Sequence, residues 1–295
     1  MVKVSAMCGT CLINRAIAEI EKTVKNKDLK FEIIREIFNY FSDHFDENSV
    51  PSNIGTIRDR IIRDFTNKDP YKEEKRRSNE LALDILPNLE NMINKLDDDW
   101  EKFFNAVIFS IVGNIMEFDI VDNMDPLENI HQAIKTAKKD LAIDDTKEFY
   151  NKLKSSTKLV FLADNAGELV FDKLLIKELS KYAEKITVIV KQIPVLNDAT
   201  MKDAEFINLT NLHPNVHVIT SETDHVGIII EETPDHVMKV INNSDLIIAK
   251  GMGYFETLTE YKIDVPIVHL FRIKCKNISE ILNVDIQKNV ILYRD

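Results

Sequence analysis

The chain has 295 residues, of which 44% are hydrophobic and 29% charged, as in folded globular proteins. Its formal net charge of −11 argues against nucleic acid as a partner, because nucleic-acid binding needs a basic surface. The sequence has neither a membrane-spanning run nor a cleavable signal pattern, so we expect a cytoplasmic protein without a membrane partner. It does not indicate an oligomeric state.

Residues 1–148 are predicted to form an all-helical domain. Apolar residues recur there at three- and four-residue spacing, as on the buried face of a helix. The segments with this spacing are 14–24, 31–45, 53–65, 73–95, 100–118 and 127–141. We place a boundary after the acidic pair Asp144-Asp145.

Residues 149–295 are predicted to form an α/β/α Rossmann-like domain with a mainly parallel sheet. Short β-branched runs alternate with helical runs, which is typical of such sheets. The predicted strands are 159–163, 186–190, 216–219, 246–249, 267–271 and 290–293, the last at an edge. The predicted helices are 169–180, 199–208, 234–242, 255–261 and 278–282.

The stretch Asp164–Glu168, Asp-Asn-Ala-Gly-Glu, lies between the first predicted strand and its helix. Open α/β sheets bind their ligands at the carboxyl ends of the strands. Oxygen donors such as Asp164 and Asn165 suit a hard divalent cation, for example Mg²⁺ or Mn²⁺. A helix cap would account for one of these side chains but not for both together with Glu168.

Asn197-Asp198 follows the second predicted strand and therefore occupies the same edge of the sheet. If the two strands are neighbours, Asp198 lies near Asp164. Asp164, Asn165 and Asp198 would then supply half of an octahedron of oxygen ligands. The alternative is that Asp198 caps the helix 199–208.

Two glycine-containing segments extend the candidate site. Gly251 and Gly253 follow the fourth predicted strand, where exposed backbone N–H groups bind anions, and Lys250 adds a charge suited to phosphate. The alternative is a plain strand-to-helix turn. Gly113 lies inside an apolar helix and favours a close helix crossing, although Asn114 beside it could face the crevice.

The cysteines and one further lysine leave alternatives open. Cys8 and Cys11 form a Cys-x-x-Cys motif, which is half a zinc site or a redox pair, and Cys275 is a possible third sulfur. Free thiols are the alternative. Lys274 follows the fifth predicted strand and either contacts phosphate or is simply solvated.

Together these motifs resemble the metal-dependent damage-control phosphatases, a former domain of unknown function. The match looks closest to the archaeal-type branch, which carries an N-terminal Cys-x-x-Cys like Cys8 and Cys11, and residues 67–79 are also similar to that branch. The resemblance implies a divalent ion (Mg²⁺, Mn²⁺, Co²⁺ or Ni²⁺) held by Asp164, Asn165 and Asp198. It implies hydrolysis of phosphate esters of sugars or of damaged phosphometabolites.

The resemblance also implies roles for single residues. Asp164 or Asp198 would orient a water molecule or act as the nucleophile, and the sequence does not choose between these two mechanisms. Substrate and phosphate would be held by residues of the crevice, namely Lys250, Gly251, Gly253, Lys274, Asn114, Glu168 and Glu256. Two other functions stay open: an S-adenosylmethionine-dependent methyltransferase, and a binder of a phosphorylated metabolite without catalysis.

Overall fold

The structure is a computed structural model that describes the backbone of residues 1–115 and 126–295, and the side chains of residues 1–113 and 131–295. The described residues before residue 140 are mainly helical, as predicted. The helices are α1 Ala6–Thr23, α2 Lys27–His44, α3 Pro51–Thr66, α4 Lys72–Asn94, α5 Asp99–Ile115 and α6 Pro126–Lys139. Helix α1 begins eight residues before the predicted start, because Ser5 and Cys8 form a capping box there.

The described strands form one seven-stranded sheet. They are β1 Leu141–Asp144, β2 Lys158–Leu162, β3 Lys185–Val190, β4 Val216–Thr220, β5 Leu246–Lys250, β6 Ile267–Arg272 and β7 Asn289–Arg294. Their order is β1-β7-β6-β5-β2-β3-β4, and neighbours are parallel except for the antiparallel pair β6 and β7. The predicted α/β class with a mainly parallel sheet is confirmed.

The edge of the sheet near β7 differs from the prediction. Residues 141–144, predicted as a helix end and a connector, form strand β1 and pair with β7. Strand β7 therefore lies inside the sheet rather than at its edge. A four-residue strand carries too little alternation to be recognised, and its hydrogen bonds depend on a partner almost 150 residues away. The division of the chain at residue 148 remains a prediction.

The remaining helices connect or flank the strands: α7 Thr146–Leu153, α8 Glu168–Leu179, α9 Met201–Phe206, α10 Asp235–Asn242, α11 Gly251–Leu258 and α12 Lys276–Leu282. Helix α5 packs closely on α8 in the main hydrophobic core. A Cβ on Gly113 would lie 3.0 Å from the Glu168 Cα and from the Phe171 ring, so Gly113 permits this crossing, as predicted. None of the described helices is both long and apolar enough to span a membrane.

Candidate active site

Strand β2 lies at the centre of the candidate site, between β3 and β5 and parallel to both. Asp164 and Asn165 follow β2, Asp198 lies in the loop after β3, and Lys250 is the last residue of β5. The carboxyl ends of these strands therefore meet at one edge, as the sequence predicts. A ligand crevice in an open α/β sheet forms at such an edge.

Backbone hydrogen bonds join the loop after β2 to the loop after β3. The Ala199 N–H donates to the Asp164 carbonyl at 2.7 Å, and the Ala166 N–H donates to the Asn197 carbonyl at 2.9 Å. Asn165 and Asp198 are thereby paired as an isolated antiparallel bridge. The predicted proximity of Asp164, Asn165 and Asp198 is confirmed by this arrangement.

These three polar side chains do not serve as helix caps. Helix α9 begins at Met201 and is capped by Thr200, whose backbone N–H and hydroxyl donate to Asp203. The alternative in which Asp198 is the cap is therefore wrong. Helix α8 begins at Glu168 with Gly167 at its cap position and without a capping side chain. None of Asp164, Asn165 and Asp198 is therefore the N-cap residue of α8 or α9.

Gly251 provides room for the Asp164 carboxylate. Its φ is +79°, and a Cβ built on it would lie 2.1 Å from Asp164 Oδ2. The carboxylate therefore lies against the first residue of α11, where the helix dipole favours negative charge. Gly253 allows close packing against the loop after β4, because a Cβ there would lie 3.1 Å from the Val226 side chain. The prediction that these glycines bind phosphate remains untested.

Lys250 is completely buried and has carboxylate partners. Its Nζ lies 2.9 Å from Glu168 Oε1, 2.9 Å from Asp172 Oδ1 and 2.9 Å from the Ser110 carbonyl oxygen. An ammonium group has three N–H donors, and these three oxygens can accept all of them. The predicted direct contact between Lys250 and phosphate is therefore not supported. Lys250 is the internal counter-ion of Glu168 and Asp172.

Lys191, which the sequence prediction omitted, is a second buried cation at this edge. It follows β3 directly, and its Nζ lies 2.7 Å from the Gly227 carbonyl oxygen, 3.1 Å from the Tyr254 hydroxyl and 3.7 Å from Asp198 Oδ2. The available signal was a lysine placed at the end of an apolar β-branched run, Ile-Thr-Val-Ile-Val. The same pattern precedes Lys250.

The other predicted substrate residues have different surroundings. Lys274 is exposed, and its charge helps to lower the pKa of Asp164. Glu256 is buried and accepts a hydrogen bond from the Ser52 hydroxyl at the start of α3, so it joins α11 to the helical region. Burial raises the pKa of Glu256 to about 7. The side chain of Asn114 lies outside the described residues.

The electrostatics of the site favour a bound cation. Burial raises the pKa of Asp164 well above its usual range, and the charges of Glu168 and Asp198 raise it further. Burial also raises the pKa of Asp198 to about 6, against the opposing charges of Lys191 and Lys75. Carboxylates held together in this way are stabilised by a positive ion between them.

The oxygen donors of the candidate site fit a hard divalent ion that keeps several of its water ligands. In the described part of the chain, no three His, Cys, Asp or Glu side chains are grouped as a metal cage would require. The candidate set is two carboxylates and one carboxamide, from Asp164, Asp198 and Asn165. Magnesium sites of this type use one or two carboxylates and leave the other positions to water and substrate phosphate.

The three cysteines are free thiols. Cys8 and Cys11 lie in the first turns of α1, and Cys275 is the cap residue of α12. Burial, followed by smaller contributions that include the nearby Cys8, raises the pKa of the Cys275 thiol. Within the described residues, Cys8, Cys11 and Cys275 are not grouped as a metal site would require, so the possible three-sulfur zinc site is not assembled.

Comparison with known proteins identifies the family. The family model of the damage-control phosphatase ARMT1-like domain matches residues 4–290 of the sequence. The chain belongs to this damage-control phosphatase family. A damage-control phosphatase of Archaeoglobus fulgidus is 32% identical over 96% of each chain, and one of Pyrococcus horikoshii is 30% identical over 96% of this chain and 95% of its own. An uncharacterized protein of Methanocaldococcus jannaschii is 35% identical over 99% of this chain and 96% of its own.

A solved structure agrees with this assignment. The crystal structure of a DUF89 family protein from Pyrococcus horikoshii superposes with a TM-score of 0.89 at 28% identity, and each chain is covered completely. This damage-control phosphatase therefore shares the fold of that protein over its full length. The family assignment supports the phosphatase over the methyltransferase that the sequence left open.

Proposed function

We propose that the protein is a metal-dependent phosphomonoesterase that acts on small phosphorylated metabolites, such as sugar phosphates or damaged phosphometabolites. Asp164, Asn165 and Asp198 would hold the divalent cation. The observation that carries this proposal is the pairing of the loops after β2 and β3, which brings a buried carboxylate (Asp198), a half-buried carboxylate (Asp164) and a carboxamide together at the sheet edge. Burial raises the pKa of Asp164, and the charges of Glu168 and Asp198 raise it further, so a cation bound there would relieve repulsion between these acids.

A bound cation would polarise the phosphoryl group and offset the negative charge that develops in the transition state. The chain itself contributes positive potential at the same edge. Helix α11 begins at Gly251 beside Asp164, so the positive end of its dipole lies there. Lys274 is exposed and electrostatically coupled to Asp164, and we propose that it contacts the phosphate oxygens.

The test is phosphate release from p-nitrophenyl phosphate and a panel of sugar phosphates. The protein is first stripped of metal with a chelator and then assayed without metal and with Mg²⁺, Mn²⁺, Co²⁺ or Ni²⁺. We expect turnover only with metal. Asp164→Ala and Asp198→Ala should each lower kcat/KM by more than about 100-fold, since loss of an outer-shell partner alone often costs 10–100-fold.

Asp235→Ala is the matched control, because Asp235 is exposed at the start of α10, and this variant should keep wild-type activity. Circular dichroism and thermal unfolding of each variant separate loss of the site from loss of the fold. Phosphate release that is independent of metal, or wild-type activity in Asp164→Ala, would contradict the proposal.

A further inference from the structure

The carboxamide of Asn165 lies between two acidic side chains. Its Nδ2 is 2.8 Å from Asp164 Oδ2 and 2.9 Å from Glu168 Oε2. An ionised carboxylate only accepts hydrogen bonds, and an amide nitrogen only donates them. Glu168 is ion-paired with Lys250 and is such an acceptor, so the NH₂ group of Asn165 faces Glu168, and its second N–H donates to Asp164 Oδ2. Its oxygen, the atom suited to a metal ligand, is directed away from them.

Glu168 is fixed in turn by Lys250. The other oxygen of Glu168, Oε1, lies 2.9 Å from Lys250 Nζ, so one carboxylate bridges the carboxamide and the ammonium. Lys250 is fixed by Asp172 and by the Ser110 carbonyl, and the Ser110 hydroxyl donates to Asp172 Oδ1 at 2.6 Å. Each of these four residues is at most 1% exposed.

Stability alone does not explain this buried cluster of Glu168, Lys250, Asp172 and Ser110. Burying charges costs desolvation free energy that pairing does not always recover, so such groups often serve orientation instead. The cluster is built where α5 crosses α8, with Gly113 one turn from Ser110 and in contact distance of the Glu168 backbone. Packing of two helices thus determines the position of Glu168, and Glu168 determines the rotation of the Asn165 amide.

We propose that Lys250 and Glu168 are positioning residues, which hold the Asn165 carboxamide so that its Oδ1 faces the cation. The inference rests on the proposed function, because it requires a metal at Asn165. Lys250 on this account binds neither phosphate nor metal. Outer-shell partners of metal ligands commonly act in this way, and their loss costs about 10–100-fold in metal affinity.

The test is Mn²⁺ binding to the metal-free protein, measured by calorimetry without any phosphate. Positioning predicts that Lys250→Met weakens Mn²⁺ binding at least tenfold. Charge alone predicts the opposite sign, because removing a cation near Asp164 makes the site more negative and should tighten binding. The direction of the change in Kd therefore separates the two explanations.

A second variant keeps the experiment decisive if Lys250→Met does not fold. Glu168→Asp retains the charge, but a side chain shorter by one methylene cannot span both Asn165 and Lys250. We expect at least tenfold weaker Mn²⁺ binding. The matched control is Glu178→Asp: Glu178 is a buried glutamate on the same helix, paired with Lys181 at 2.5 Å, and its shortening should leave the Kd of Mn²⁺ unchanged.

Each of the following results would overturn the inference. Mn²⁺ affinity that is unchanged or tighter in Lys250→Met, or unchanged in Glu168→Asp, would refute the positioning role while the proposed function stands. If Lys250→Met binds Mn²⁺ like wild type but its phosphate-release activity is no longer inhibited by inorganic phosphate, Lys250 would instead be a phosphate contact. A wild-type protein that binds no divalent cation at all would overturn the proposed metal and the positioning role together.

Discussion

Gly251→Ala is the most direct test of how the backbone makes room for the candidate site. A Cβ at this position would lie 2.1 Å from Asp164 Oδ2, whereas real Cβ atoms almost never approach another atom within 3.0 Å. The carboxylate must therefore retreat by at least 0.9 Å, the difference between these two distances. The residue also has a φ of +79°, which side-chain-bearing residues rarely adopt.

The magnitudes follow from these two effects. A left-handed conformation costs a non-glycine residue about 1–2 kcal/mol, so the free energy of unfolding should fall by roughly that amount. Displacement of a catalytic group by about 1 Å costs on the order of 100-fold in rate. We expect kcat/KM to fall about 100-fold, far more than the modest loss of stability would produce by itself.

The assay is metal-activated phosphate release at a temperature well below the midpoint of unfolding, with urea unfolding measured in parallel. Gly55→Ala is the control. Gly55 lies inside helix α3, and a Cβ there would meet only Leu12 at 3.7 Å, an ordinary contact. That variant should keep full activity and gain up to about 1 kcal/mol of stability, since alanine favours a helix over glycine.

Activity of Gly251→Ala within threefold of wild type would refute this reasoning. It would show that Asp164 can move by about 1 Å without consequence, and hence that its position against α11 does not matter for the reaction. Equal losses of activity in Gly251→Ala and Gly55→Ala would point instead to a general effect of added side chains on the fold.

Two further predictions concern Glu256 and Lys274. Burial raises the pKa of Glu256 from 4.5 to about 7. Between these pH values the folded protein keeps a proton on Glu256 that the unfolded chain has released. The contribution of Glu256 to stability is therefore full below about pH 4.5 and is lost as the pH rises through 7. The free energy of unfolding of Glu256→Gln minus that of wild type should therefore be larger at pH 8 than at pH 5, by on the order of 3 kcal/mol. Urea unfolding that gives the same difference at both pH values would contradict this. Lys274→Ala should lower kcat/KM about 10- to 100-fold, which is the contribution expected of a charged hydrogen bond to phosphate. The control is Lys276→Ala, because Lys276 is an exposed lysine two residues away, and this variant should keep wild-type kcat/KM. Equal effects of the two substitutions would remove Lys274 from the site.

The motifs that lie at strand ends were predictable because the sheet is regular. Apolar runs of four to six residues mark β2, β3 and β5, and a parallel sheet brings the residues after each run to one edge. The proximity of Asp164, Asn165 and Asp198 required only that β2 and β3 be neighbours, which is the usual arrangement of consecutive strands. Strand β1 was missed because four residues that pair only with β7 carry no such signal.

The partners of the buried lysines could not be predicted in the same way. Lys191 and Lys250 both follow apolar runs, and the chemistry of lysine at such an edge suits phosphate in either case. The role of Lys250 is determined by Ser110, a residue 140 positions away on α5, and by Asp172 on α8. Helix periodicity predicts that Ser110 is buried but not which strand end it meets.

The two lysines divide the acidic groups of the site between them. Lys191 Nζ lies 3.7 Å from Asp198 Oδ2, and Lys250 Nζ lies 2.9 Å from Glu168 Oε1. Both lysines are fully buried, and the Nζ of each lies within hydrogen-bond distance of oxygens of the protein. The pKa of Asp164 is raised by burial and by the charges of Glu168 and Asp198, and the charges of Lys274 and Lys250 oppose that rise. A divalent cation bound by Asp164 and Asp198, as proposed, would offset the mutual repulsion of these acidic side chains at the sheet edge.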